Sequence, residues 1–329
     1  MEQEIMVSVN CLVYNHAKYL RKCLDGFVTQ KTNFKFEVLI HDDASTDGSQ
    51  DIIREYEEKY PDIIKPIYQT ENQYSKHIPI SKIYQYPRVK GKYIAFCEGD
   101  DYWCDENKLQ KQFEILEHDE NLSICVHKVQ SINEDGSLIE NDTHPSIHLP
   151  NYLNSCDLIS LLMSNNSYQF QTSSYMVRSE IIKEMASNTP KFVSLAKVGD
   201  YTIMEYCATK GSLYFIDDIM SCYRKGAIGS WTSRFSNNKE LQISVILGSI
   251  ESLKSFNEYT DYEYDEMINY KINSEEFKYF RVSNDYKSCM NKKYKKIRKS
   301  LNKKEYFYIL LNAYFKNIFI FLKRIKNGK

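Results

Sequence analysis

Residues Tyr93-Ile94-Ala95-Phe96-Cys97-Glu98-Gly99-Asp100-Asp101-Tyr102-Trp103 join a short apolar run to a knot of carboxylates. The run Tyr93–Cys97 reads as a buried strand, and the acidic residues fall directly at its carboxyl end. Three carboxylates in one turn repel one another and are costly to bury unpaired. A divalent cation removes that cost. Hard oxygen ligands suit Mg²⁺ or Mn²⁺, and either ion would also take diphosphate oxygens. Gly99 lets the backbone turn tightly, so that the acids on either side can face one ligand. Taken alone, the same residues also read as a solvated acidic turn.

Upstream, the pattern alternates between strand and helix. Val7–Tyr14 is an apolar run, followed by Leu20, Cys23, Leu24, Phe27 and Val28 at helical spacing. Phe36–Ile40 is a second strand, a helix carries Ile52, Ile53 and Tyr56 on one face, and Ile63–Tyr68 is a third strand. Alternating units of this length predict an α/β fold with a mainly parallel sheet covered by helices. Ligands of such sheets bind beyond the carboxyl ends of the strands. The polar loop His41-Asp42-Asp43-Ala44-Ser45-Thr46-Asp47-Gly48 lies at such an end, after the second strand. Capping of the next helix by Ser45, Thr46 or Asp47 explains part of it. It does not explain Asp42 and Asp43, where a carboxylate can accept a base N–H or a ribose hydroxyl. Beyond residue 105 come a helix (Leu109, Phe113, Ile115, Leu116), a strand (Ile124–Val129) and a hairpin signal at Glu134-Asp135-Gly136. Glu140–Ser155, with Pro145 and Pro150, reads as a surface loop, and from about Glu240 the chain reads as helical.

Val7-Ser8-Val9-Asn10-Cys11-Leu12-Val13-Tyr14-Asn15, the Asp42–Gly48 loop and the Glu98–Trp103 cluster, in that order and roughly fifty residues apart, resemble the large second family of inverting glycosyltransferases. The resemblance spans about residues 5–235. It implies a GT-A fold: a glycosyltransferase domain over 1–235, with a nucleotide-binding half (1–105) and an acceptor-binding half (106–235). Beyond the resemblance, 236–329 reads from its own residues as a helical, basic and aromatic region. Carried over position by position, Tyr14 would stack near the base and Asp43 would hydrogen-bond it. Glu98 stands at the first place of the family's Asp-x-Asp motif and Asp100 at its last. Asp100 would be the ligand of Mn²⁺ or Mg²⁺, supported by Asp101, with Glu98 near the ribose or the metal's waters. Glu98 departs from the usual Asp, keeping the charge on a longer arm.

Val198-Gly199-Asp200-Tyr201-Thr202-Ile203-Met204-Glu205 resembles the segment that supplies the family's base, which takes the acceptor hydroxyl's proton. Asp200 is the expected catalytic residue and Glu205 the reserve; an acid favoured by a helix N-terminus is the competing explanation. Tyr223-Arg224-Lys225-Gly226-Ala227-Ile228-Gly229-Ser230-Trp231 resembles a family Tyr-Arg-x-His-x-x-Gly-x-Trp segment, with Gly226 in the place of the histidine. Lys225, Arg224 or water would then serve where the histidine does. Trp103 and Trp231 are candidate walls for a sugar or acceptor, and equally candidates for ordinary packing.

Bulk composition is that of a globular protein, with 42% hydrophobic and 26% charged residues. The nine cysteines show neither Cys-x-x-Cys nor Cys/His ligand spacing, which argues against zinc and a disulfide framework. With no recognisable leader or membrane-spanning run, a cytoplasmic placement is expected, peripheral on the inner face of the cell membrane. The net charge of −1 conceals an asymmetry: residues 286–329 hold 14 Lys/Arg against Glu305 alone. That basic stretch precedes a helical face of Phe307, Leu310, Leu311, Tyr314, Phe315, Ile318, Leu322 and Ile325. It suits either an anionic membrane surface or packing on the body, and no nucleic-acid motif accompanies it. The expected partners are a nucleotide-sugar donor, a UDP-sugar by resemblance, and a glycan or lipid-linked glycan acceptor. A sugar-phosphate nucleotidyltransferase is disfavoured, because Val13-Tyr14-Asn15-His16-Ala17 lacks a glycine-rich basic loop. A non-catalytic sugar-nucleotide-binding scaffold is the other alternative.

Overall fold

The computed structural model describes residues 4–164, 170–227 and 230–315. In strand β1 (Ile5–Val13), Val7, Val9 and Cys11 are buried, and so are Ser8 and Asn10 between them. Burial on both faces is what a strand inside a helix-covered parallel sheet requires. Helix α1 (Ala17–Val28) then returns along the sheet on Leu20, Cys23, Leu24 and Phe27, a one-sided stripe. Strand β2 (Lys35–Asp42), helix α2 (Ser49–Lys59), strand β3 (Ile64–Tyr68) and strand β4 (Tyr93–Phe96) follow. β1 pairs in parallel with β2 and β4, and β2 with β3.

The second half adds β5 (Tyr102–Trp103), α3 (Lys108–His118), β6 (Leu122–Ile132), β7 (Leu138–His144), β8 (Tyr152–Leu153), α4 (Ser155–Met163), β9 (Met176–Arg178), α5 (Ser179–Ser187) and β10 (Ser212–Arg224). The strand order is β3-β2-β1-β4-β9-β6-β10-β5, with β7 on β6 and β8 on β10. β9 lies antiparallel to both β4 and β6, and β6 runs parallel to β10. Two reversals cancel. The carboxyl ends of β6 and β10 therefore lie on the same edge as those of β1, β2 and β4, and residues 225–227 emerge beside the acidic turn's edge of the sheet. The result is the mixed, helix-flanked α/β sheet that the alternating pattern predicts.

The stretch expected to loop over the surface, Glu140–Ser155, is instead partly strand. β7 pairs with β6 (Val129 with His144, Gln130 with Thr143) around a turn closed by Asn133 and Ser137. Its polar sequence reflects a half-exposed strand, which leaves no apolar alternation to read.

The chain divides into two compact units. The first is Met1–Leu162, Asn166–Thr189 and Ile203–Ser230; the second is Met163–Asn165, Pro190–Thr202 and Trp231–Lys329. A linear boundary near 235 does not capture this, because Pro190–Thr202 groups with the C-terminal helices. The core of the first unit runs from Val7 and Val9 through Phe27, Ile40 and Tyr93 to Trp103, Leu116 and Met176. The second unit contains α6 (Lys191–Leu195), the start of α7 (Gly199–Ala208), α8 (Trp231–Asn237), α9 (Lys239–Tyr259), α10 (Asp265–Val282), α11 (Lys295–Ser300) and α12 (Lys303–Tyr314). Phe192 packs on Phe256 and Tyr259 of α9, with ring centroids 5.0 and 5.2 Å away. Among the described residues no helix is long and apolar enough to cross a membrane. The tail positions Ile318, Leu322 and Ile325 lie outside the described residues.

Candidate active site

The loops after β1 and β2 are stitched together, largely through main-chain amides. Asn15 N–H donates to Ser45 Oγ (2.9 Å), His16 N–H to Ser49 Oγ (3.0 Å) and Ala17 N–H to Asp47 Oδ2 (2.9 Å). In return Thr46 N–H donates to Asn15 Oδ1 (2.8 Å). Asn15 takes a left-handed φ of 57°, a conformation that asparagine tolerates. Asp47 also accepts from the N–H and hydroxyl of Ser49. Burial works to raise its pKa, but the bonds from Ser49 and Ala17 outweigh it and hold the carboxyl below its ordinary value. Asp47 thus serves the first turns of both α1 and α2. It does so from outside the N-cap positions, His16 and Gly48, neither of which makes a side-chain cap bond. Tyr14 stands at the rim of the stitched floor, 48% exposed.

Asp42 and Asp43 are both buried at the end of β2. Asp42 Oδ1 accepts from Ser45 N–H (3.0 Å) and Gln50 Nε2 (2.7 Å), while its Oδ2 is buried with no hydrogen-bond partner among the described residues. Asp43 accepts Gln73 N–H (2.7 Å) on Oδ1 and Tyr74 N–H (3.0 Å) on Oδ2. Its carboxylate holds the 73–74 turn against the strand end, a task invisible in the sequence because thirty residues separate the partners. Two accepted bonds leave a carboxylate with acceptor capacity to spare.

The acidic turn is held tightly by its neighbours. Gly99 N–H donates to Leu12 O (3.0 Å), tying the turn to β1. A Cβ at Gly99 would come within 2.8 Å of His16 Nδ1 and 3.0 Å of Val13 Cγ2, so the glycine is required for close approach. Glu98 is exposed, Asp100 is half-buried and Asp101 is buried. Asp101 Oδ1 accepts Arg224 N–H at 2.8 Å, and Arg224 Nε donates to Asp100 O at 2.9 Å. The guanidinium also donates to Glu134 O (2.8 Å) and lies 4.5 Å from the centre of the Tyr19 ring. Burial, with Asp100 and then Glu98 adding to it, pushes the Asp101 carboxyl well above its ordinary value. Three acids thus share one turn, with the buried one pushed toward its neutral form chiefly by its burial. Among the described residues, however, no three His, Cys, Asp or Glu side chains assemble into a ready ligand set. The residues fit a cation that takes Asp100 from the protein and its remaining ligands from elsewhere. Asp101 turns its carboxylate inward onto the β10 backbone, a supporting position rather than one that faces a ligand.

Of the two readings of Trp103, sugar wall or packing, the structure supports packing. The residue is 3% exposed, meets Phe27 edge-on at 4.7 Å, donates from Nε1 to Ser173 O (3.1 Å) and carries Lys108 Nζ 4.0 Å over its ring. A ring enclosed in this way cannot wall a sugar pocket. Trp231 begins α8, partly exposed and stacked on Phe235 at 4.9 Å. Asp200 lies in the first turn of α7, partly exposed, its Oδ1 accepting Tyr201 N–H at 2.9 Å. Glu205, the reserve candidate, lies further along α7 and is 1% exposed. Gly226 takes φ +78°, so the place of the family histidine is a left-handed turn that disfavours any side chain. Arg224 is committed to main-chain carbonyls, and Lys225 pairs with Asp142.

Comparison with known proteins places this geometry. The glycosyl transferase family 2 profile matches residues 8–183, more than half of the chain, and the chain belongs to that family. An uncharacterised protein of Mycobacterium tuberculosis is 31% identical over 234 residues, covering 71% of this chain and 63% of that protein. The chain thus spans under two thirds of that relative's length. The putative teichuronic acid biosynthesis glycosyltransferase TuaG of Bacillus subtilis is 33% identical over 111 residues, 34% of this chain and 42% of TuaG. Among solved structures, S. aureus TarS 1-349 in complex with UDP-GlcNAc superposes with a TM-score of 0.52 at 15% identity, covering 99% of this chain and 93% of that one. The mannosyltransferase PcManGT of Pyrobaculum calidifontis, in complex with GDP-Man and Mn²⁺, gives a TM-score of 0.52 at 14% identity, covering 96% and 88%. These likenesses establish the GT-A fold.

Proposed function

We propose that the chain is an inverting glycosyltransferase that moves a sugar from a UDP-sugar to a hydroxyl of a glycan or lipid-linked glycan, in the building of bacterial surface polysaccharide. The observation that carries this reading is the acidic turn Glu98–Asp101, pinned by Gly99 and Arg224 beside the stitched floor under Tyr14. Tyr14 would offer the base a stacking face, Asp43 would accept from it with its spare acceptor capacity, and Glu98 would serve the ribose. Asp100 would hold Mn²⁺ or Mg²⁺ together with the donor's diphosphate oxygens. When bound, the cation supplies positive charge to the departing diphosphate. Asp200 takes the proton of the acceptor hydroxyl as that oxygen forms its bond to the anomeric carbon. The bond from that carbon to the diphosphate oxygen breaks, the nucleoside diphosphate leaves and the configuration inverts. TuaG supports the surface-glycan assignment, TarS the UDP-sugar and PcManGT the metal, each by what it is itself recorded to make or bind. Such glycans are assembled on lipid carriers, so we place the enzyme at the inner membrane face.

The test is nucleotide release from UDP-, GDP- and CMP-sugars with Mn²⁺, Mg²⁺ or EDTA, on wild type and Asp100→Ala, alongside donor binding by calorimetry. Metal-dependent release from one donor, lost in Asp100→Ala, is expected. Binding without release in the presence of candidate acceptors would favour the scaffold, a reading to which the Gly226 turn lends some weight. Absence of both binding and release would overturn the proposal.

A further inference from the structure

The C-terminal helices carry an exposed basic and aromatic surface of their own. α12 is capped by Asn302, whose Oδ1 accepts Glu305 N–H (2.9 Å) while its Nδ2 donates to Glu305 Oε2 (2.9 Å). The helix is anchored by Ile309, fully buried with Phe277, Cys289, Tyr294 and Ile297. Ile309 lies off the face that the spacing of Phe307, Leu310, Leu311 and Tyr314 defines. The helix therefore packs on its own unit through a different stripe and leaves much of that face outward: Phe307 is 58% exposed and Tyr314 57%, with Leu310 and Leu311 half-buried. Phe315, at the C-cap, is exposed as well.

The same surface is densely cationic. Between residues 286 and 315 nine Lys/Arg stand against Glu305 alone. Lys293 pairs with Glu276, and Lys296 lies 3.9 Å from Glu266. Lys292, Lys295, Lys299, Lys303 and Lys304 are exposed, with no carboxylate within ion-pair distance among the described residues. Unneutralised cations beside water-exposed aromatic rings match one kind of partner on two counts. An anionic bilayer takes the ammonium groups at its phosphates and the rings at the boundary between headgroups and acyl chains. A nucleic acid would use the charge but gives Phe307 and Tyr314, on a regular helix with no recognised binding motif, much less to gain. A folded protein partner would be expected to supply an acidic surface with apolar pockets, for which nothing here argues.

We propose that α11 and the outer face of α12 form a peripheral docking surface for anionic phospholipid, with Lys295, Lys299, Lys303 and Lys304 on the headgroups and Phe307 and Tyr314 inserted among them. The proposal does not depend on donor chemistry, because lipid binding is measured without turnover.

The experiment uses the full chain in vesicle co-sedimentation, comparing phosphatidylcholine alone with phosphatidylcholine mixed with phosphatidylglycerol, at low and high salt. Binding is expected to the anionic vesicles only and to weaken as salt rises. Neutralising Lys295, Lys299, Lys303 and Lys304 to Gln should lower partitioning roughly fivefold for each charge removed. Phe307→Ser with Tyr314→Ser should lower it at every salt concentration. Both variants change exposed side chains and are expected to melt with wild type and to keep its donor hydrolysis. Equal binding to both vesicle types, or none to the anionic ones, overturns the proposal whatever the variants do. So does tight binding of an oligonucleotide that competes off the vesicles and ignores the Phe307 and Tyr314 substitutions.

Discussion

The main-chain N–H of Arg224 donates to Oδ1 of Asp101 at 2.8 Å, joining residues 123 apart in the chain. The side chain of the same arginine holds Asp100 O. One residue at the end of β10 thereby fixes both the carboxylate that supports the acidic turn and the carbonyl of the one that faces out. Arg224→Ala leaves those carbonyls and the Tyr19 face without a partner. It should cost about 2–4 kcal/mol of stability and abolish metal-dependent donor turnover. Arg224→Lys, which cannot reach two carbonyls at once, should recover part of the stability but little of the turnover. Urea midpoints and donor hydrolysis measured on the same samples check both halves.

Asp200 sits in a first helical turn, where a carboxylate is stabilised whether or not it does chemistry. Activity separates the two explanations. If it is the base, Asp200→Asn keeps fold and donor affinity while kcat falls by about 10²–10⁴. If it only serves the helix, kcat stays within a few-fold and only the melting temperature moves. Calorimetric binding of UDP alongside transfer kinetics distinguishes the outcomes.

Lys108 is wholly buried, its ammonium on Gln112 Oε1 at 2.7 Å and over the Trp103 ring. Burial pulls its pKa down to about 7 from the ordinary 10.5. Between those values the unfolded chain holds a proton that the folded chain has released, so this group makes stability rise with pH across that window. Below about pH 7 the full penalty is present; above about 10.5 it is gone. The difference in unfolding free energy between wild type and Lys108→Met should therefore change with pH, by up to about 1.4 kcal/mol per unit. A flat difference from pH 7 to 10 would mean that the ammonium stays charged against Trp103.

The two tryptophans should separate cleanly. Trp103→Ala removes a core ring and should cost about 3–5 kcal/mol, with any activity loss following the unfolded fraction. Trp231→Ala, at a partly exposed position, should move stability by less than about 1 kcal/mol. If Trp231 lines the acceptor site, its effect will appear in the acceptor KM instead. Thermal melts and acceptor titrations of both variants decide this.

The parts of the site that sequence spacing reveals are those built from neighbours along the chain. Asp42 and Asp43 after β2, and Glu98–Asp101 after β4, fall at strand ends because an apolar run stops and polar residues begin. Contacts across the sheet leave no such mark. The bond from Asp43 to the 73–74 turn and the grip of Arg224 on the acidic turn come from segments with no shared pattern. Trp103 stays undecided in the sequence for the same reason: its neighbours along the chain do not show the pairing with Ser221 of β10 that draws it under the sheet edge. Pro190–Thr202 joins the helical unit because Phe192 is its anchor, a preference that one aromatic in a polar stretch does not announce.

The lacing between the loops after β1 and β2 bears on how the molecule opens. Each loop's amides end on the other's side chains, so neither can detach without stripping the other. Exchange of the amide hydrogens at 15, 16, 17 and 46 should consequently occur as one cooperative event, with matched protection, even though a stretch of thirty residues separates the two sets. Substituting Asn15→Gly, which keeps the left-handed φ accessible and removes a single acceptor, should release all of them together. A surface already locked before any ligand arrives loses little freedom when one binds, so donor affinity here should depend on contacts made and hardly at all on ordering.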